Sequence, residues 1–204
     1  MRLPTSASYR VLPLALALCA AGMLLSPAAA QQALSVKPVV EKKLAQLPAG
    51  PLYWRIESFP ALAEAQTAAG PTSLAAEIAG KVWLFTLGPK GGLTAGGSKI
   101  AEVGPVPAIT APEYLLRINH ASGAPGAKTP MHTHPGSEAF FVLTGKVGQR
   151  APHGTAYAEA GQAMNGHGAD MPMEVFSAGT SDLTQLVMFV VDATRPFSSP
   201  AKFE

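Results

Sequence analysis

All five histidines of the chain lie between His120 and His167, and two of them, His132 and His134, are separated by a single residue. On a β-strand alternate side chains share a face, so this spacing can turn both imidazoles the same way. Glu138 follows at the head of the apolar run AFFVLTG. With Phe140 and Val142 it shares a strand face expected to point into a barrel, where a lone carboxylate is costly. Two histidines and one carboxylate converging there make a facial set for one divalent metal (iron, manganese, nickel, copper or zinc), which would offset that cost. A turn holding two solvated histidines has the same spacing, so the spacing alone does not decide.

The neighbouring residues narrow the choice. Gly126, His132, His134, Glu138 and Gly145 occupy the fixed positions of the first cupin motif at the expected intervals. In these residues the chain resembles the cupin superfamily, over about residues 113–192. The resemblance implies a jelly-roll β-barrel with its site inside, and metal-ligand roles for His132, His134 and Glu138. It implies a homodimer as well, because cupins commonly pair through strands and N-terminal arms. The second motif departs from the pattern. Aligned from Gly161, its proline position holds His167, its glycine position Ala169, and its histidine position Pro172. Three outcomes stay open. His167, flanked by Gly166 and Gly168, replaces the missing ligand; the metal keeps three ligands and open positions; or no metal binds and the interior holds an organic molecule.

Phe140, Val142, Met164, Pro172 and Glu174 are the expected pocket wall, with Glu174 facing either inward or outward by strand parity. The methionines Met131, Met164, Met171 and Met173 read as core filler or as an adaptable wall. His120 is expected at a strand end or on the barrel rim, and His153 in an exposed turn.

The elements that must position these groups are strands. From residue 113 onward EYLLRINHAS, SEAFFVLTG, KVGQR, GTAYAEA, PMEVFSAG and LTQLVMFVVDA follow one another with Gly and Pro between them, the pattern of an antiparallel sandwich or barrel. Residues 50–112 form a β-rich N-terminal extension expected to pack on the barrel or on a partner. PLYWRIESF, KVWLFTLG and SKIAEVG are its strands, and residues 60–79 are ambiguous between helix and strand. Residues 31–49 are expected to be a loose arm or short helix, and residues 193–204 a tail across the surface. The fold class is therefore all-β, a jelly-roll barrel with an N-terminal β/α extension.

Composition excludes several function classes. Hydrophobic residues make up 48% and charged residues 14%, which marks a folding chain. Residues 1–30 read as a cleaved signal peptide, with Arg2 and Arg10, the short apolar stretch VLPLALALCAAGMLL and an Ala28-Ala29-Ala30 site. This implies export, periplasmic or secreted, in a bacterium, with no stable membrane insertion after cleavage. Cys19, the only cysteine, goes with the leader. The mature chain then has no disulfide, thiol catalysis or cysteine-held metal. Its charges balance once Arg2 and Arg10 are removed, and there is no basic run, so nucleic acid is not an expected partner. A small molecule is. Two main readings follow: a barrel that binds a small molecule, possible with or without one metal, and a metal-dependent oxygenase or isomerase. A barrel serving only for dimerisation is the third.

Overall fold

The computed structural model describes residues 32–203; the expected signal peptide, with Cys19, lies outside the described residues. In chain order the elements are β1 (Ser35–Leu44), β2 (Tyr53–Phe59), α1 (Leu62–Ala68), β3 (Ser73–Ile78), β4 (Lys81–Gly88), β5 (Ser98–Val103) and β6 (Tyr114–Gly123). There follow β7 (His132–Thr133), β8 (Gly136–Thr144), β9 (Lys146–Ala151), β10 (Gly154–Glu159), β11 (Ala163–Asn165), β12 (Glu174–Ser177), β13 (Leu183–Asp192) and β14 (Ser199–Pro200). No helix among the described residues is long and apolar enough to cross a membrane.

The strands build three layers. The middle layer is a five-stranded sheet in the order β1-β6-β13-β8-β11. On one side it faces the sheet β10-β9-β12, continued through bridges at Lys128–Phe176 and His132–Met173 to the pair β7-β14. These two layers are the barrel. On the other side the extension sheet, β3-β4-β2-β5, lies against the middle sheet.

Burial on both faces explains why β8 and β13 read as continuous apolar runs rather than alternating ones. Ala139, Phe141, Leu186, Met188 and Val190 pack with Trp54, Ile56, Trp83 and Phe85 of the extension. Phe140, Val142, Val187, Phe189 and Val191 turn the other way, into the barrel, with Val147 and Val175. At the β8–β9 turn Gly145 has φ +75, and a side chain there would run into the backbone of Asp182 and Leu183. Only glycine meets both demands.

Both chain ends differ from expectation. The supposed arm is a ten-residue strand, β1, paired along β6 with a register shift between Pro38 and Val40. Proline lacks the N–H for an unbroken ladder, and an edge strand with a bulge is where a sheet accepts it. The tail does more than cross the surface, because β14 pairs with β7 and carries Phe197 to the barrel mouth.

Candidate functional site

The register of the middle sheet stacks the barrel's inner face in three rungs: Arg117, Phe189 and Glu138; then Asn119, Val187 and Phe140; then Ala121, Gln185 and Val142. Glu138 thus points inward with Phe140 and Val142, and is fully buried. His132 on β7 and His134 just after it come from the facing layer. Their rings meet edge to face, with centroids 4.9 Å apart.

Each histidine is oriented by a backbone carbonyl. His132 Nδ1 lies 2.8 Å from Pro130 O, and His134 Nδ1 lies 2.6 Å from Phe197 O. A carbonyl only accepts, so each Nδ1 carries a proton, and His134, kept neutral by burial, keeps the Nε2 lone pair. His134 Nε2 is 4.0 Å from Glu138 Oε2. Glu138 Oε1 accepts a hydrogen bond from Gln149 Nε2, which also touches Met173 Sδ at 3.2 Å.

This contact joins two neutral groups rather than an ion pair. Burial pushes the Glu138 carboxyl up to about 8, only partly opposed by Gln149. Burial likewise holds His134 down to about 4, with the bond to Phe197 O opposing it and His132 and Arg117 adding to it. At neutral pH the site presents a protonated carboxyl beside a neutral imidazole.

These residues open onto a cavity of about 380 Å³, small among ligand pockets of about 300–1,000 Å³. Its walls are mainly apolar: Leu34 and Val36 from the N-terminal end, Phe140, Val187 and Phe189 from the middle sheet, Val175 from the facing one. The tail supplies part of its wall. The Phe197 ring lies 4.8 Å from His134 and 5.0 Å from Phe189, and the Arg117 guanidinium sits 4.0 Å from its centroid.

Of the expected wall only Phe140 lines this cavity; Val142, Met164, Pro172 and Glu174 do not. Val142 is one rung too deep and is part of the packed core. Met164 packs against that core from β11. Glu174 is paired instead with Lys128 at 2.6 Å and Arg150 at 2.5 Å, which places its carboxylate away from the cavity. His120 shares a face with Leu116 and Ile118, but that face meets the extension, not the barrel interior. His167 does not reach the site. Its backbone oxygen accepts from Glu138 N at 3.4 Å, while its ring packs edge to face on His153, 5.0 Å away. Gln149, Asn119, Gln185 and Phe197 were not singled out by the sequence reading. Strand parity could have flagged the first three; nothing in the tail sequence signals Phe197.

In this chain the HxH…E motif opens between two antiparallel sheets, the arrangement that its resemblance to cupins implies. Solved structures similar to it include a cupin-like protein from Thermotoga maritima, with 16% identity over 43% of this chain and 65% of that one and a TM-score of 0.38. A DMSP lyase from Ruegeria pomeroyi shares 17% identity over 42% of this chain and 43% of that one, with a TM-score of 0.36. Oxalate oxidase in complex with the substrate analogue glycolate shares 19% over 41% and 45%, with a TM-score of 0.35. The chain thus spans less than two thirds of the length of each of these. No family model and no curated protein matches the sequence.

The sequence resemblance implies a metal here, and the donor set meets that role only in part. The Nδ1 anchors of His132 and His134 suit ligation through Nε2. The remainder does not fit. Glu138 is engaged by Gln149, the third-histidine position is Pro172, and His167 is turned to His153. Among the described residues no three His, Cys, Asp or Glu groups are gathered to hold a metal ion. Among the described residues, the expected ligand set of His132, His134 and Glu138, with His167 as substitute, is therefore not gathered around one point.

Proposed function

We propose that this protein is a cupin that binds one small, neutral, largely apolar organic molecule inside its barrel, with His132, His134 and Glu138 hydrogen-bonding a polar group at one end. The observation that carries this reading is an apolar cavity with hydrogen-bonding groups gathered near Glu138, of which Glu138 and His134 are held uncharged by burial. Such a site favours shape and hydrogen-bond complementarity over charge. The test is native mass spectrometry of untagged protein, followed by solvent extraction and identification of any released compound. A stoichiometric organic adduct, lost in His134→Ala, is the expected result; a protein that neither carries nor takes up a small molecule would end the proposal.

A second reading draws on one distance, the 4.0 Å between His134 Nε2 and Glu138 Oε2. A protonated carboxyl and an unprotonated imidazole nitrogen side by side form an acid–base pair suited to moving a proton within a bound substrate, as an isomerase does. Solvent deuterium incorporated into a turned-over ligand, and abolished by Glu138→Gln, is its signature. The leader-like residues 1–30 support a further part of the proposal, that the protein is exported, and the resemblance to cupins, which commonly pair, supports a homodimer. Cell fractionation and sedimentation test the two halves.

A further inference from the structure

Two amide side chains stand on the inner face of the middle sheet where neighbouring positions are apolar. Asn119 on β6 is beside Val187, and Gln185 on β13 is between Ala121 and Val142. Both line the cavity, although they are only 3% and 1% exposed. The oxygens Asn119 Oδ1 and Gln185 Oε1 are buried without a hydrogen-bond donor. Burying an amide oxygen unpaired costs stability that an apolar side chain of the same shape would not. A half-turn of either terminal amide exchanges its oxygen for its NH₂, so each can offer the cavity an acceptor or a donor.

These amides are far from the histidines. Gln185 is four residues along β13 from Phe189, the strand partner of Glu138, which is about 13 Å at the usual strand rise. Asn119 is two residues along and two strands across from Glu138, about 12 Å by the same spacings. Val187 and Phe140 occupy the rung between and make the intervening wall apolar. Among the described residues no lysine, arginine or aspartate lines the cavity, and the wall at the amide end offers no counterion to a charged group.

We infer that Asn119 and Gln185 form a second polar subsite, and that the ligand is an elongated neutral molecule with a hydroxyl or carboxamide at each end and an apolar middle. This rests on the binding function proposed above and specifies its ligand class. A hydroxyl, both donor and acceptor, serves the two amides at once.

Matched probes separate the two ideas: α,ω-octanediol, with a hydroxyl at each end of a chain long enough to span the rungs, and octanol, with one. Binding of both is measured by calorimetry and thermal shift to the full mature protein, to Gln185→Met, and to Asn119→Leu combined with Gln185→Met. The expected result is that the diol binds the unaltered protein about tenfold more tightly than octanol, the worth of one good hydrogen bond. The substitutions should remove that preference while octanol binding persists. Equal affinities of the two probes in the unaltered protein, with octanol bound, overturn the subsite and leave the binding proposal standing. A diol preference that survives both substitutions overturns the assignment to these amides. Failure of both probes to bind removes the parent proposal and the subsite with it, whereas binding of the diol alone supports the subsite. Should the double variant not fold, the probe comparison in the unaltered protein and in Gln185→Met decides the matter.

Discussion

Glu138→Gln should change how stability depends on pH, in a way that tests the electrostatic account of the site. Unfolded, the carboxyl titrates near 4.5; folded, burial moves it to about 8. Between these values the unfolded chain has released a proton that the folded protein still holds. The unfolded state then binds fewer protons, and stability falls as pH rises. At about 1.4 kcal/mol per pH unit, the loss across the whole window is about 5 kcal/mol. His134 works in the opposite direction. It titrates near 6.5 unfolded and about 4 folded, so stability falls as pH drops through that window, by about 3 kcal/mol in all. The two slopes offset one another between pH 4.5 and 6.5, and the Glu138 loss emerges alone above 6.5. Glutamine keeps the size and can still accept from Gln149, but it does not titrate. The variant should therefore lose the alkaline decline and reveal the acid decline of His134. Urea unfolding midpoints at half-unit steps of pH supply the assay, and the difference curve between the two proteins isolates Glu138 from every other titrating group. A flat difference curve from pH 4.5 to 8 would refute a buried, protonated Glu138.

Three further outcomes follow from named contacts. Phe197→Ala should cost about 2 kcal/mol, below the value for a fully buried phenylalanine because the ring is half-exposed, and should raise the His134 pKa by admitting water, read by NMR titration; an unmoved His134 would show that the tail does not seal the site. Asn119→Leu with Gln185→Met should raise the melting temperature of the ligand-free protein, because it removes two unpaired amide oxygens; a lowered melting temperature at unchanged fold would mean that those oxygens are satisfied. After exposure to iron, manganese, nickel, copper or zinc and desalting, elemental analysis should find the protein well below one equivalent of metal; a full equivalent that His132→Ala removes would reverse the conclusion about the donor set.

Much of the barrel was legible because its signals are local. The AFFVLTG and LTQLVMFVV runs are strands, and alternation placed Glu138 inward with Phe140 and Val142, where the structure has it. The same parity argument went astray on β6. Leu116 and Ile118 do share a face, but the extension sheet covers it, so the barrel interior takes Arg117, Asn119 and Ala121 instead. Which of two apolar faces is the inside depends on a layer encoded sixty residues away. Glu174 was open by parity, and the cations Lys128 and Arg150 decided it through contacts that the sequence does not mark. Residues 35–44 hid a strand because Pro38 and three lysines dilute its valines. The tail carries no periodicity at all, since Phe197 contributes one carbonyl and one ring from an irregular segment.

The cavity is bounded by Leu34 and Val36 at one extreme of the described chain and by Phe197, Ser198 and Pro200 at the other. Two segments far apart in sequence thus share one wall, and the chamber is complete only when both are docked on the barrel. Until then the HxH face is open to water and His134 lacks the burial that keeps it uncharged. The arrangement also bears on handling the protein. An affinity tag inserted close to Pro200 or close to Leu34 would sit beside lining residues, whereas an internal tag in the turn at His153, which faces solvent, leaves both segments untouched.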